Sequence, residues 1–298
     1  MHRIDLIHKR IFRNNYGIND MPSEKKIVNI ERYPINNVGD CLSPIIIQWL
    51  LDKKNIKIDS RINGTKHLLS VGSVISMGFF DTTVWGSGLI NEEAKGIVAY
   101  KKNRYRRKLD VRAVRGPLTR NILLELGYNC PEIYGDPAVL MPLIYPGRTE
   151  NKDVISLILH YRTHIVTDYE KDASSQYQFY IDDEVLNKYT IQYIDPKTDD
   201  YKLFIDKLLK SKLVISSSLH GIILAESYGI PAIFLNVGID DQLFKFKDWY
   251  MSTGRKMEFA NSIQDALIFE PNEIPDLTKI RKELMNSFPY DLWEENLH

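Results

Sequence analysis

Two cysteines in 298 residues, Cys41 and Cys130, are too few and too far apart for a disulfide framework. Neither sits in a C-x-x-C or Cys/His metal spacing, so the usage suits a reducing compartment. An excess of charge is missing too. Lys plus Arg and Asp plus Glu both number 39, so no global field recruits nucleic acid or a bilayer. No stretch approaches the roughly 20 consecutive apolar residues that span a membrane. The first residues scatter charges where a signal peptide needs an apolar segment, which leads us to expect a cytoplasmic protein. Internal repeats, low-complexity tracts and a P-loop are lacking. A spaced G-x-G-x-x-G is lacking as well, so a nicotinamide cofactor has no support.

What is present is the make-up of a soluble globular enzyme, 44% hydrophobic and 26% charged, long enough for two domains. Short apolar runs alternate with helical spacings. Strands are predicted at 26–30, 67–73, 83–89, 96–100 and 110–115, then at 154–159, 191–195, 213–216 and 232–235. Helices are predicted at 42–51, capped by Ser43 with Pro44 at its first position, and at 117–126, 201–210 and 219–229, with a last one within 276–298. Residues 1–24 read as a polar lead-in. Strands alternating with helices indicate parallel sheets, twice over. The prediction is an α/β protein with an N-terminal domain at 1–147, a C-terminal domain at 152–275, and a terminal helix, 276–298, packing back on the first domain. In such sheets ligands lie beyond the carboxyl ends of the strands. The polar junction Ser216-Ser217-Ser218-Leu219-His220-Gly221 falls at such an end and opens a helix, where free N–H groups favour anions.

Seven motifs carry a resemblance to the polysaccharide pyruvyl transferase family, in the family's order over about residues 30 to 255. They are Asn37-Val38-Gly39-Asp40, Val84-Trp85-Gly86-Ser87-Gly88, Val114-Arg115-Gly116-Pro117-Leu118-Thr119, Gly135-Asp136-Pro137-Ala138, His160-Tyr161, Ser217 through Glu226, and Lys245 through Tyr250. The resemblance implies two Rossmann-like domains facing each other across a cleft, as in glycosyltransferase-B folds. It also implies transfer of an enolpyruvyl-derived group from phosphoenolpyruvate to two hydroxyls of a hexose, giving a pyruvate ketal. The acceptor would be a lipid-linked or nascent surface glycan, carried on a polyprenyl diphosphate. In one departure, many relatives carry Arg-Leu-His where this chain has Ser218-Leu219-His220.

The candidate site follows. His220, Asp40 and His160 are the catalytic candidates, since imidazole and carboxylate can deliver and accept protons near neutral pH. The alternatives are that His220 caps its helix and that Asp40 forms an Asx turn. Arg115 is expected to emerge at the cleft mouth and, with Ser217, Ser218, Leu219 and Gly221, to hold the donor. Asn37, Gly39, Gly86, Ser87, Gly88, Asp136, Glu226 and Lys245 are placed in the cleft or on the acceptor side, Asp136 chiefly as a turn cap. No cofactor is expected, phosphoenolpyruvate being a co-substrate. A metal is not expected either, because His160 and His164 would pair on one only within a helix. Six basic residues between Lys101 and Lys108 read either as a solvated segment or as a contact to an acceptor diphosphate or to anionic headgroups at the inner face of the membrane. Two rival readings are a nucleotide-sugar glycosyltransferase, with Glu226 holding the ribose, and a non-catalytic sugar- or phosphate-binding subunit.

Overall fold

The computed structural model describes residues 28–33, 35–56, 66–150, 153–160, 163–166, 177–181, 183–238, 242–271 and 273–293. The lead-in at 1–24 and Tyr161 therefore lie outside the described residues. Two parallel sheets carry the chain. The first takes its strands in chain order: β1 (Val28–Glu31), β2 (Lys66–Leu69), β3 (Thr82–Trp85) and β4 (Leu109–Ala113). Parallel neighbours need crossovers. Helix α1 (Val38–Lys53) leads from β1 towards β2, and α2 (Ala94–Tyr105) from β3 to β4. The β2–β3 crossover has no helix; it is a loop with one tight turn at 75–77. Helix α3 (Pro117–Glu125), a 3₁₀ turn (Pro137–Leu140) and short α4 (Met141–Ile144) follow β4.

The second sheet has β5 (Ile155–Ile158) beside β8 (Ile191–Tyr193) on one edge and β9 (Leu213–Ser216) on the other, with β10 (Ala232–Phe234) outermost, all parallel. Between β5 and β8 lie a separate parallel pair, β6 (Thr163–Val166) with β7 (Tyr177–Tyr180), and helix α5 (Asp183–Lys188). Residue 164 is thus in a strand, not a helix. Helices α6 (Tyr201–Leu208) and α7 (Leu219–Ser227) flank β9, and α8 (Leu243–Ser252), α9 (Ile263–Ile268) and α10 (Thr278–Asn286) complete the fold. From β5 the chain builds outward in opposite directions, so the carboxyl ends of β5 and β9 form a topological switch point, where such sheets leave a crevice.

One large apolar core runs between the sheets and gathers Ile46, Trp85, Phe204, Ile223, Phe246 and Leu284; smaller cores cover the outer faces. Trp85 donates its indole N–H to the Leu284 carbonyl at 3.0 Å, tying α10 to β3. Arg281 ties α10 to the carbonyls of Val139 and Ser227.

Three predicted elements are corrected. Helix α1 begins at Val38, and its cap is Asn37, whose side chain accepts the Gly39 N–H at 3.0 Å. Pro44 sits inside it, and Ser43 instead accepts the Val71 N–H. Residues 96–100 are helix rather than strand: Ala94, Val98 and Lys101 recur at i, i+4 and i+7 and are the buried positions of α2. The terminal helix occupies only Thr278–Asn286, followed by a 3₁₀ turn at Tyr290–Leu292.

Candidate active site

The strand ends of both sheets open onto one cavity of about 260 Å³. Asn37 and Asp40 reach it from behind β1, Gly72 through Val74 with Ser76 and Met77 from behind β2, and Ile90 from behind β3. The second sheet supplies His160 after β5, and Ser218, Leu219 and His220 after β9, while Gln242 and Lys245 enter at the start of α8. Helices α1 and α7 both begin here. The first N–H groups of a helix have no partner within it, so two positive helix ends converge on one space.

His220 is the second residue of α7 and only 12% exposed. Its ring lies against the backbone of Gly39 in α1; a Cβ there would stand 1.9 Å from Nδ1. Only glycine allows this approach. On the ring's other side, Nε2 is 3.6 Å from Oδ2 of Asp136. That carboxylate is fully buried, and its other oxygen accepts the Ala138 N–H to start the 3₁₀ turn. Neither Asp136 Oδ2 nor His220 Nε2 has a hydrogen-bond partner among the described residues, so the two atoms face each other across a short gap.

Asp40 stands beside this pair. Burial pushes its carboxyl up to about 6; His220, Arg32 and Lys245 pull it back down, and Asp136 pushes it further up. A buried carboxylate poised near neutrality, next to an imidazole, is what proton transfer in both directions requires. Lys245, mostly buried, donates to Gln242 Oε1 at 2.5 Å and, among the described residues, is the single Lys or Arg lining the cavity. His160 lines the same space, and its backbone N–H is held by Ser217 Oγ at 2.7 Å. Among the described residues, no cluster of three His, Cys, Asp or Glu side chains is arranged to hold a metal ion.

Several expected site residues lie elsewhere. Arg115 does not emerge at the cleft mouth: it is fully buried, 3.1 Å from Asp248, and donates to Ser73 Oγ and the Leu89 carbonyl. Asp248 also accepts the N–H groups of Leu118 and Thr119 and the Thr119 hydroxyl, so it caps α3 from α8. Gly116 has no room for a Cβ, which would come within 2.0 Å of the Asp248 carbonyl. The two motifs around Arg115 and Asp248 are therefore a latch between the halves of the chain. Glu226 does not line the cavity; it is gripped by Arg255 through both oxygens and by the Trp249 indole. That removes the residue on which ribose binding rested. Gly86, Ser87 and Gly88 do not line the cavity. Gly86, at φ +81°, turns the chain, Ser87 bonds the Gly72 carbonyl, and Gly88 makes room for Arg115. Together they shape the Gly72–Val74 wall from behind. Ser217 and Gly221 are likewise behind the surface, with Ser216 Oγ occupying the space a Gly221 side chain would need.

The basic run is only partly solvated. Lys101 donates to the carbonyls of Ser76 and Met77, and Arg107 to those of Ile75 and Phe80, so two buried cations hold the cavity-lining loop in place. Sequence reasoning missed this loop and Gln242, and picked up Asp248 only as part of the motif Lys245 through Tyr250, without a role. An aliphatic stretch without a helical or strand period carries no signal of a binding wall.

Comparison with known proteins bears on the same residues. The model of the polysaccharide pyruvyl transferase family matches residues 34–238. The chain belongs to this family. The match spans the cavity from Asn37 to His220 and stops before α8. Among relatives of this pyruvyl transferase family member, an uncharacterized protein, L143, of Acanthamoeba polyphaga mimivirus is 30% identical over 203 residues, 67% of this chain and 63% of that protein. The succinoglycan biosynthesis protein ExoV of Rhizobium meliloti (strain 1021) is 29% identical over 148 residues, 49% of this chain and 41% of that protein. The chain thus matches less than two thirds of the length of either relative.

Proposed function

We propose that the protein transfers a pyruvyl group, as a ketal, from phosphoenolpyruvate to two hydroxyls of a hexose in a lipid-linked or nascent surface glycan. The observation that carries this reading is the meeting of His220, Asp40 and Lys245 in one cavity where two helix N-termini converge. A donor with a phosphate and a carboxylate needs fixed positive charge, which Lys245 and the start of α7 supply. The chemistry needs an acid and bases. A proton delivered to the methylene carbon makes the neighbouring carbon electrophilic, a sugar hydroxyl attacks it, inorganic phosphate leaves, and a second hydroxyl closes the ketal. Of the two hydroxyl protons released, one regenerates the acid and the other leaves with phosphate. His220 serves as the acid and Asp40 as the base, the charge on the imidazole being balanced by Asp136 behind it. Asn37 bounds the acceptor side, and His160, on the second half, shares in the proton transfer.

In this reading the halves meeting at the cavity form a glycosyltransferase-B-like pair, divided near residues 148–151, with the donor on the second half. The reaction suits the cytoplasm, where phosphoenolpyruvate and glycan precursors on polyprenyl diphosphate coexist. Family membership and the succinoglycan biosynthesis in the name of the Rhizobium relative support it. The test is His220→Ala, which is expected to lower turnover by on the order of 10² or more while the fold survives. A folded variant with near wild-type turnover would make His220 a structural residue.

A further inference from the structure

A second concave region lies at the opposite end of the first sheet. Lys108 immediately precedes β4 and Arg115 follows it, so a groove beside Lys108 opens at the strand's amino end, away from the cavity. The groove encloses about 500 Å³; Lys102, Asn103, Arg106, Lys108 and Asn129 face it, and none of the described residues lining it is acidic. From Ala94 to Leu109 the chain carries seven basic residues and no acidic one, although the whole chain is neutral.

Such a local excess must be met from inside or outside the protein. Lys101 and Arg107 are used on loop carbonyls, and Lys95 on Glu125. Arg104, Arg106 and Lys108 are exposed; the Lys108 backbone N–H donates to the Asp81 carboxylate, but none of the three charged side chains forms an ion pair among the described residues. Arg106 closes α2 in the left-handed region, at φ +52°, which a glycine would occupy at less cost. The helix therefore ends on a cation beside the groove. Its flank is apolar. Ile97 and Tyr100 are about half exposed and share a face with Arg104 at i, i+3 and i+7; Leu124 stands exposed on α3, whose end Lys95 and Lys102 hold against α2. Cations that border exposed aliphatic and tyrosine side chains are the make-up of a surface that lies on an anionic bilayer. A nucleic acid would use the cations but leave Ile97 and Leu124 in water.

We infer that α2 and its groove dock the protein on an anionic phospholipid surface, with headgroup phosphates in the groove and Ile97, Tyr100 and Leu124 at the acyl boundary. This is independent of the reaction proposed for the cavity. The experiment is flotation of the full-length protein with vesicles of phosphatidylcholine alone or with about one-third phosphatidylglycerol. Binding is expected only to the anionic vesicles. Each exposed cation contributes about fivefold, equivalent to about 1 kcal/mol, so Arg104→Gln, Arg106→Asn and Lys108→Gln together should weaken it on the order of a hundredfold. Ile97→Ser with Tyr100→Ser should weaken it with the charge unchanged. Replacing Lys197, Lys256 and Lys282, exposed elsewhere, by Gln makes the same change in net charge and should leave binding intact. Thermal melts identify any variant that fails to fold, and the two groups of substitutions are separate routes to the same outcome. Equal binding to both vesicle types, or equal losses from both lysine and arginine sets, would overturn the inference. So would displacement by inorganic phosphate at matched ionic strength, which would mark the groove as a soluble-phosphate site.

Discussion

Gly39→Ala tests the geometry of the site without touching a chemical group. The added Cβ would fall 1.9 Å from His220 Nδ1, 2.3 Å from Cγ and 2.4 Å from Cε1. Ordinary contact begins near 3.4 Å, so the ring must retreat by about 1.5 Å. It can do so, because the cavity lies open beside it. Alanine is favoured over glycine in a helix by about 0.5–1 kcal/mol, and displacing one side chain costs about 1–3 kcal/mol, so stability should change little. Activity should not be spared. A displacement of about 1 Å in a catalytic group costs on the order of 10² in rate. The expected result is a folded protein whose melting temperature shifts by a few degrees and whose phosphoenolpyruvate-dependent phosphate release falls about a hundredfold, donor KM changing less. If Gly39→Ala keeps its turnover within a few-fold, the position of the imidazole is immaterial and His220 is not the acid–base group.

Three further outcomes follow from the same structure. Asp40 titrates at about 6 when folded against 3.8 when exposed, so the unfolded chain binds fewer protons between these values and stability falls as pH rises from about 4 through 6. Asp40→Asn should therefore be more stable than wild type at pH 7 by on the order of 2–3 kcal/mol, lose that advantage near pH 4, and be slow at every pH; superimposable urea melts at pH 7 would contradict this. Arg115→Met strips the buried Asp248 of its cation and should cost about 3–5 kcal/mol in denaturant melts, with donor KM unchanged in the folded protein; a stable variant with a raised donor KM would return Arg115 to the site. Lys245→Met should raise donor KM about ten- to a hundredfold, and adding Ser218→Arg should restore part of it, since both positions line the cavity; an unmoved KM would exclude Lys245 from donor binding.

The strand-to-glycine and strand-to-helix junctions were legible in the sequence because each combines a short apolar run with a polar turn. Asn37, Asp40, His160, Ser218, Leu219 and His220 were all named from such patterns, and Lys245 from the family resemblance; all line the cavity. Arg115, beside a turn, and Glu226, on the helix after His220, were misplaced for one physical reason. A charged residue near a candidate site looks like a ligand group until its partner is known, and Asp248 and Arg255 lie far away along the chain. Residues 96–100 read as strand because Ile97, Val98 and Tyr100 favour it locally. Burial of Ala94, Val98 and Lys101 on one side decides for helix. The loop from Ile75 to Phe80 was invisible, since its shape comes from Lys101 and Arg107 behind it.

The central claim is tested most directly by incubating the protein with phosphoenolpyruvate and a panel of lipid-linked and synthetic hexosides, following glycan mass and inorganic phosphate together. The account predicts a pyruvate-ketal mass gain on the glycan, with one phosphate released per ketal, both lost in His220→Ala. Glycans left unchanged by phosphoenolpyruvate but extended when a nucleotide sugar is supplied would contradict it.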